Sequence, residues 1–271
     1  MTTKMITVSN SEDLFRDPPL GDNLRFEEDG LVHLMNSSIY GANAEEVFNN
    51  LIVILNENGA KLTDCVRTWV FLKEITDYQK MVTDRKSVLD SKGLTSYFAS
   101  TGIMCRTYAG DLWLHSYCKP GRMAIRLDAY TIVGLTPDRI MHLDDFSMLC
   151  RPITYGVTFE RGTRITYNDR YEYFISGTAS VGPNGKSLFP GNLEKQLNRT
   201  LENIEALLNS GGATMSDMRK VLVYVRNRDD FKAVGREIAK RYPKLIFTIY
   251  QAEICRPELL IEIEGRAVKS R

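Results

Sequence analysis

Short apolar runs alternate with amphipathic stretches along the second half of the chain. Residues 164–177 (RITYNDRYEYFISG) predict two strands joined by a polar Asn-Asp turn, since tyrosine, isoleucine and phenylalanine lie on both sides of it. Residues 193–212 predict a helix that ends at two glycines. Its apolar positions recur at helical spacing: Leu193, Leu197, Leu201, Ile204 and Leu208. A buried strand, a second helix and two further strands complete the pattern between residues 220 and 268.

The first half carries a weaker copy of the same pattern. Residues 56–72 (NENGAKLTDCVRTWVFL) align without a gap on residues 209–225 (NSGGATMSDMRKVLVYV) at a constant offset. The identical positions include Asn56, Gly59, Ala60 and Asp64 of the first copy. A constant offset over such a stretch indicates an internal repeat.

The dipeptide Cys-Arg also recurs, at Cys105 and at Cys255, and we expect these two cysteines to correspond. Each precedes a predicted strand, which in the first copy is formed by residues 112–118 (LWLHSYC). Strands and helices mixed in this way predict an α+β fold. We expect two tandem units, residues 1–135 and residues 150–271, joined by a turn-rich acidic segment.

Composition and charge narrow the classes of function. The formal net charge is only +1, which disfavours a nucleic-acid or anionic membrane partner and favours a small-molecule ligand. No apolar run approaches the roughly 20 residues of a membrane helix, and the first residues lack a signal-peptide pattern, so we expect a cytoplasmic protein. The five cysteines form no CxxC pair and the three histidines lack ligand spacing. We therefore expect no metal and no cofactor.

Three short motifs of the second half indicate a family. They are residues 176–180 (SGTAS) on a predicted strand, Gln196 with Asn203 in the first helix, and residues 262–264 (EIE) in the final strand. Together they resemble the YjgF/Rid superfamily, well over the second half and faintly over the first. The resemblance implies units in which a mixed β-sheet carries two helices on one face. It also implies ligand sites in clefts between units and assembly as a homotrimer, with a monomer as the alternative.

Two longer segments are similar to one branch of that superfamily, the chorismatases. They are residues 175–180 (ISGTAS) and 254–265 (ICRPELLIEIEG). Chorismatases cleave the enolpyruvyl ether of chorismate, release pyruvate, and are tandem chains with a degenerate first copy. The seven-residue step from Cys255 to Glu262 is similar to the catalytic pair of chorismatases that form 3-hydroxybenzoate. The resemblance implies a hydrolase acting on a small carboxylate, with 3-hydroxybenzoate or a dihydrodiol as the ring product.

Glu262 is the main candidate for the chemistry. Strand alternation places it on the same face as Glu264, and two carboxylates so close repel each other, which can keep one protonated near neutral pH. Cleavage of an enol ether begins with protonation of its terminal carbon, so a protonated carboxylic acid is the group required. We expect Glu262 to be the general acid and Glu264 to contact the substrate. The first copy offers residues 113–115 (WLH) near this place and no acid, so we expect only the second copy to be chemically equipped.

Cys255 is the second catalytic candidate. The neighbouring Arg256 would lower the pKa of its thiol, and the thiolate would attack the ring and direct the product to 3-hydroxybenzoate. The alternative is that Cys255 is a small packing residue, like the cysteine of the first copy.

Substrate-binding candidates follow from the two carboxylates of chorismate, which need arginines that present planar paired donors. Arg161 and Arg226 are the arginines expected to bind them, with Tyr155 just ahead of Arg161. Gly177 and Thr178 would contribute a small residue and a hydroxyl beside the substrate, or would serve only close packing within the sheet.

Two other functions stay open at this point. A Rid-type imine deaminase places a carboxylate-binding arginine on the penultimate strand, and residues 246–250 (IFTIY) contain none. A non-catalytic small-molecule-binding protein is the other alternative, since fold does not fix function. In that case Glu262 and Glu264 would form a solvated strand face. A ribonuclease is disfavoured by the near-neutral charge.

Overall fold

Twelve strands form one continuous mixed sheet in the computed structural model, which describes residues 5–7, 23–105 and 124–271. In chain order the strands are β1 (Met5–Thr7), β2 (Asn23–Glu28), β3 (Leu31–Gly41), β4 (Cys65–Leu72), β5 (Ala99–Cys105), β6 (Ile125–Val133), β7 (Ile140–His142), β8 (Gly162–Thr166), β9 (Arg170–Ala179), β10 (Met218–Val225), β11 (Ile246–Glu253) and β12 (Ile261–Ser270). The α-helices of these residues are α1 (Ala44–Glu57), α2 (Tyr78–Ser91), α3 (Leu193–Ser210) and α4 (Phe231–Arg241).

The two halves of the sheet have the same strand order. It is β2-β3-β6-β4-β5 in the first half and β8-β9-β12-β10-β11 in the second. In each half a helix connects a parallel pair, β4 with β5 and β10 with β11. The halves join where the ends of β5 and β11 pair antiparallel, at Cys105 with Ala252. Each half packs two helices over its own apolar core, so the predicted α+β tandem of related units is confirmed.

Residues that match between the copies have the same local task. Gly59 and Gly212 follow the ends of α1 and α3 with φ of +71° and +82°, a left-handed conformation that favours glycine. Asp64 and Asp217 accept the backbone N–H of the residue three positions earlier, at 2.8 and 2.9 Å. The glycine is therefore repeated because the backbone conformation favours it, and the aspartate is repeated because its side chain stabilises the turn.

The register of the parallel strands corrects one predicted match. When the halves are aligned by the pairing of β4 with β5 and of β10 with β11, Cys105 falls on Ala252 and not on Cys255. The predicted correspondence of the two cysteines is wrong. Two differences in length cause this shift: α2 has 14 residues whereas α4 has 11. The connection from helix to strand is also longer in the first half (residues 92–98) than in the second (residues 242–245).

The strand that corresponds to β12 is β6, whereas residues 112–118, predicted for this place, lie outside the described residues. Pairing with β4 and β10 aligns Arg126 with Glu262 and Asp128 with Glu264. The first copy therefore carries an acid here, and the expectation that it has none is wrong. Arg126 Nη2 lies 2.7 Å from Asp128 Oδ2 and both side chains are buried, so this carboxylate already has a cationic partner.

The sheet faces that point away from the helices meet inside the molecule. An apolar cluster there combines first-unit side chains with Ile165, Tyr167 and Phe174 of the second unit. His33 is fully buried within it, with Nδ1 2.7 Å from the Tyr130 hydroxyl oxygen and its ring stacked on Tyr167. Side chains alternate along a strand, and the apolar neighbours of Arg126, Asp128, Glu262 and Glu264 pack into the helical cores, so these four charged side chains lie on the inner faces.

The short strand β7 lies in the chain between the two predicted units. It pairs with β8, so a strand of the second half of the sheet begins at Ile140, ahead of the proposed boundary at residue 150. The limits 1–135 and 150–271 stay predictions. No helix in the described part of the chain has the length and apolarity needed to cross a membrane.

Candidate active site

A cavity of about 140 Å³ lies between the two units and is lined by both. The second unit contributes Gly177, Cys255, Arg256 and Glu262, and the segment ahead of β8 contributes Arg161. The lining residues of the first unit are Tyr78, Gln79, Arg85, Ser100 and Gly102. Four of the residues predicted from the sequence thus share one cavity. Its place between the units agrees with the clefts that the resemblance implied, but the individual lining residues of the first unit were not predicted.

Glu262 lies on β12 with its side chain on the inner face, because Ile261 and Ile263 point into the second helical core. It is only 6% exposed. Burial, reinforced by the negative charge of Glu264, raises the pKa of Glu262 to about 8. Repulsion between the two carboxylates was predicted from their spacing, but burial is the larger cause. At pH 7 the Glu262 carboxyl is therefore mostly protonated.

Gly177 makes room for the Glu262 carboxyl. An ideal Cβ at Gly177 would lie 2.0 Å from Glu262 Oε1, so no other residue fits without moving this side chain. The strand β9 bulges here, with Ser176 and Gly177 opposite one residue of β12. The bulge turns polar groups toward the first unit: the Gly177 N–H donates to Thr101 Oγ1 at 2.9 Å, and Ser176 Oγ accepts the Ser100 N–H at 2.9 Å. The bulge therefore both shapes the cavity and attaches the units to each other.

Glu264 lies two residues further along β12 and has protein partners on the other unit. Arg67 Nη2 lies 2.5 Å from Oε2, and Trp69 Nε1 donates to Oε1 at 2.7 Å. The Tyr224 hydroxyl donates to the same oxygen at 3.0 Å. Glu264 is 2% exposed and is not among the described residues that line the cavity. In this placement it is a buried carboxylate paired with Arg67, and its negative charge raises the pKa of Glu262.

Cys255 lines the cavity from the loop between β11 and β12. Burial, with the neighbouring charge of Glu262, raises the pKa of the Cys255 thiol to about 12. Arg256 opposes this shift, as expected from its charge, but its effect is smaller than that of burial. The predicted lowering of the thiol pKa is therefore wrong, and the thiol is uncharged at neutral pH. Tyr78 of the first unit hydrogen-bonds it.

The two predicted arginines have different surroundings. Arg161 lines the cavity, is buried, and donates to the carbonyl oxygen of Cys150 at 3.2 Å from Nη2. Arg226 is not among the described lining residues. It donates to the carbonyl oxygens of Ile254, Arg256 and Leu259, and so braces the loop that carries Cys255.

Two further predicted residues do not contribute a described group to the cavity. Thr178 is buried, and its hydroxyl donates to the carbonyl oxygen of Ser176 at 2.9 Å within the β9 bulge. The side chain of Tyr155 lies outside the described residues, although its backbone closes a short 3₁₀ turn.

The sequence reading missed Tyr78 and Arg85, both on α2. A signal for them was present in the repeat, because the offset that aligns the copies pairs Tyr78 with Phe231 and Arg85 with Ile238. In the second unit these positions pack into the helical core. Polar groups that replace core residues at two helix positions seven residues apart indicate a face that meets something other than the core.

The second unit is similar to a known protein family. The Endoribonuclease L-PSP family profile matches residues 166–269. A RutC family protein of Pyrococcus horikoshii is 31% identical over 98 residues, which are 35% of this chain and 78% of that protein. The chain belongs to the YjgF/Rid superfamily.

Longer similarities within the superfamily are to chorismatases, as the sequence motifs predicted. A chorismatase of Streptomyces rapamycinicus is 24% identical over 264 residues, which cover 87% of this chain and 73% of that protein. A chorismatase crystal structure has a TM-score of 0.70 at 21% identity and covers 90% of this chain and 77% of its own, which shows a shared tandem fold. A 3-hydroxybenzoate synthase of Streptomyces hygroscopicus is 34% identical over 132 residues, 42% of this chain. That match spans only 38% of the synthase.

Proposed function

We propose that this protein is a chorismatase-like hydrolase that cleaves the enolpyruvyl ether of chorismate. The observation that carries the proposal is Glu262, a buried carboxyl that lines the cavity between the units and is protonated at neutral pH. An enol ether is opened by protonation of its terminal carbon, and a carboxylic acid with a pKa near the working pH is suited to that step. The similarity to chorismatases along most of the chain also supports it.

The proposed reaction begins at Glu262. The acid gives its proton to the methylene carbon, the electrons of the carbon–carbon double bond form the new C–H bond, and an oxocarbenium ion results. Water adds to that cation and returns a proton to Glu262. The hemiketal hydroxyl then gives its proton to the ring oxygen as the bond between carbon and that oxygen breaks, and pyruvate leaves. One water is consumed and the ring is released as a dihydrodiol. When the ring also loses water, the product is 3-hydroxybenzoate and no net water is used.

Arg161 and Cys255 have the supporting roles in this proposal. Arg161 lines the cavity as a buried cation and would hold a substrate carboxylate. Cys255 would direct the ring toward 3-hydroxybenzoate. Because its thiol is uncharged, the sulfur must lose its proton as it bonds to the ring, and that proton leaves with the ring hydroxyl that the sulfur displaces, as water. Loss of a ring proton together with the thiolate then restores the thiol and gives 3-hydroxybenzoate.

The test is release of pyruvate from chorismate by the purified protein, measured with a coupled dehydrogenase, with the ring products separated by chromatography. Glu262→Gln keeps the shape and removes the acidic proton, so the rate should fall by about 10²–10⁴-fold. Glu258→Gln, which alters a carboxyl outside the cavity lining, is the matched control and should leave the rate unchanged. Cys255→Ala should still release pyruvate and shift the ring product to the dihydrodiol.

Two results would contradict the proposal. One is a wild-type protein that releases no pyruvate from chorismate. The other is a Glu262→Gln variant that keeps the wild-type rate.

A further inference from the structure

Arg85 is a buried cation on the first-unit side of the cavity. It is 1% exposed, its Nε donates to Thr158 Oγ1 at 2.9 Å, and its Nη1 donates to Ser100 Oγ at 3.2 Å. Both partners are neutral hydroxyls. Among the described residues no carboxylate forms an ion pair with it, and its remaining N–H donors are left over for another acceptor.

The repeat supplies an internal control for this residue. Arg85 is the eighth residue of α2, and the eighth residue of α4 is Ile238, which is 1% exposed and packs in the second core. The fold thus accepts an ordinary aliphatic side chain at this position. A buried guanidinium without an anion is unfavourable, because burial removes the hydration of the charge and no opposite charge replaces it. A charge that the fold does not need, in a place where it is costly, indicates a ligand that compensates it.

We infer that Arg85 is an anion-binding residue of the cavity and takes a carboxylate of the bound ligand. The hydroxyls of Thr158 and Ser100 fix the plane of the guanidinium, as paired recognition of a carboxylate requires. The first unit then recognises the negative charge of the ligand and the second unit supplies the acid, Glu262. The inference deepens the proposed function and rests on it for the identity of the substrate, but carboxylate binding is measured without turnover.

The experiment is calorimetric titration of the purified protein with 3-hydroxybenzoate, with 3-hydroxybenzamide as the neutral isostere and pyruvate as a smaller carboxylate. The wild type should bind a carboxylate and bind the amide at least tenfold more weakly. Arg85→Met and Arg85→Gln should each lose at least tenfold in carboxylate affinity. Lys86→Met is the matched control, because it removes a positive charge from the next, solvent-exposed position of α2 and should leave the affinity unchanged.

Urea unfolding of the same variants separates binding from folding. Arg85→Met should be at least as stable as the wild type, since it removes a buried charge that has only hydroxyl partners. The inference is overturned if the wild type binds neither carboxylate, if both Arg85 variants bind like the wild type, or if neither variant folds, because Arg85 would then be structural. If carboxylate binding depends on Arg85 but chorismate is not cleaved, the proposed function fails and the inference stands.

Discussion

Adding one methyl group at Gly177 should greatly reduce the activity of the protein and barely change its stability. In Gly177→Ala the new Cβ would lie 2.0 Å from Glu262 Oε1 and 3.0 Å from Thr101 Cγ2. Ordinary contacts of this kind are about 3.5–4 Å, so the Glu262 carboxyl must move by more than about 1 Å. The φ of Gly177 is not in the left-handed region, so alanine adds no backbone strain.

The two costs of this change differ in size. The clashing atom is the end of a flexible side chain, so relief by a strained rotamer should cost only about 1 kcal/mol of unfolding free energy. Activity should suffer far more, because a displacement of about 1 Å in a reacting group can cost about 10²-fold in rate. We therefore expect kcat/KM for pyruvate release to fall about 10²-fold, with the midpoint of urea unfolding nearly unchanged.

A matched substitution and a double variant test whether displacement of Glu262 causes the loss of activity. Gly182→Ala introduces the same methyl group near the end of β9, where the nearest atom, Leu188 Cδ1, lies at an ordinary 3.4 Å, and it should keep full activity. In the Glu262→Gln background, Gly177→Ala should cost little further activity, since the group it displaces is already disabled. Full activity of Gly177→Ala, or an equal loss in both backgrounds, would refute the reasoning.

Two further predictions come from buried charges. Glu264→Gln removes a negative charge that helps to raise the pKa of Glu262, so the loss of activity at alkaline pH should begin at lower pH than in the wild type; an unchanged pH profile would argue against this coupling. Burial lowers the pKa of His33 from 6.5 to about 4, so between these pH values the unfolded chain binds a proton that the folded protein does not. The free energy of unfolding should fall by up to about 3 kcal/mol as the pH is lowered through this range, and His33→Gln should remove that part of the fall in urea titrations at pH 7 and 4.5. A variant with the same acid sensitivity as the wild type would contradict it.

The fold was predictable because its signals are local. The spacing of Leu197, Leu201 and Leu208 along α3, and the alternation of Glu262 with Ile263 on β12, depend only on near neighbours. The internal repeat extended these local signals to the first half. The match of Cys105 with Cys255 failed because strand register depends on the lengths of the preceding helix and loop, which short sequence motifs do not determine.

The site was predictable only on the side that carries the family motifs. Arg67 and Glu264 are 197 residues apart, and their contact exists only because the inner faces of the two units meet. The pKa of Cys255 could not be inferred from its neighbour Arg256, since burial is a property of the folded cavity. Arg85 was missed because an arginine in a helix is usually solvated, and only comparison with Ile238 of the other copy marks it as unusual.

The central claim is that Glu262 acts as a buried acid, and the pH dependence of kcat/KM for pyruvate release from chorismate tests it most directly. That quantity reports the pKa of the essential acid in the free enzyme. Because the protonated form is the active one, kcat/KM should stay level up to about pH 7 and fall about tenfold per pH unit above the pKa of Glu262, which is about 8. The residual activity of Glu262→Gln should lack this alkaline fall. No pyruvate at any pH, or a fall centred near the ordinary glutamate value of 4.5, would contradict the account.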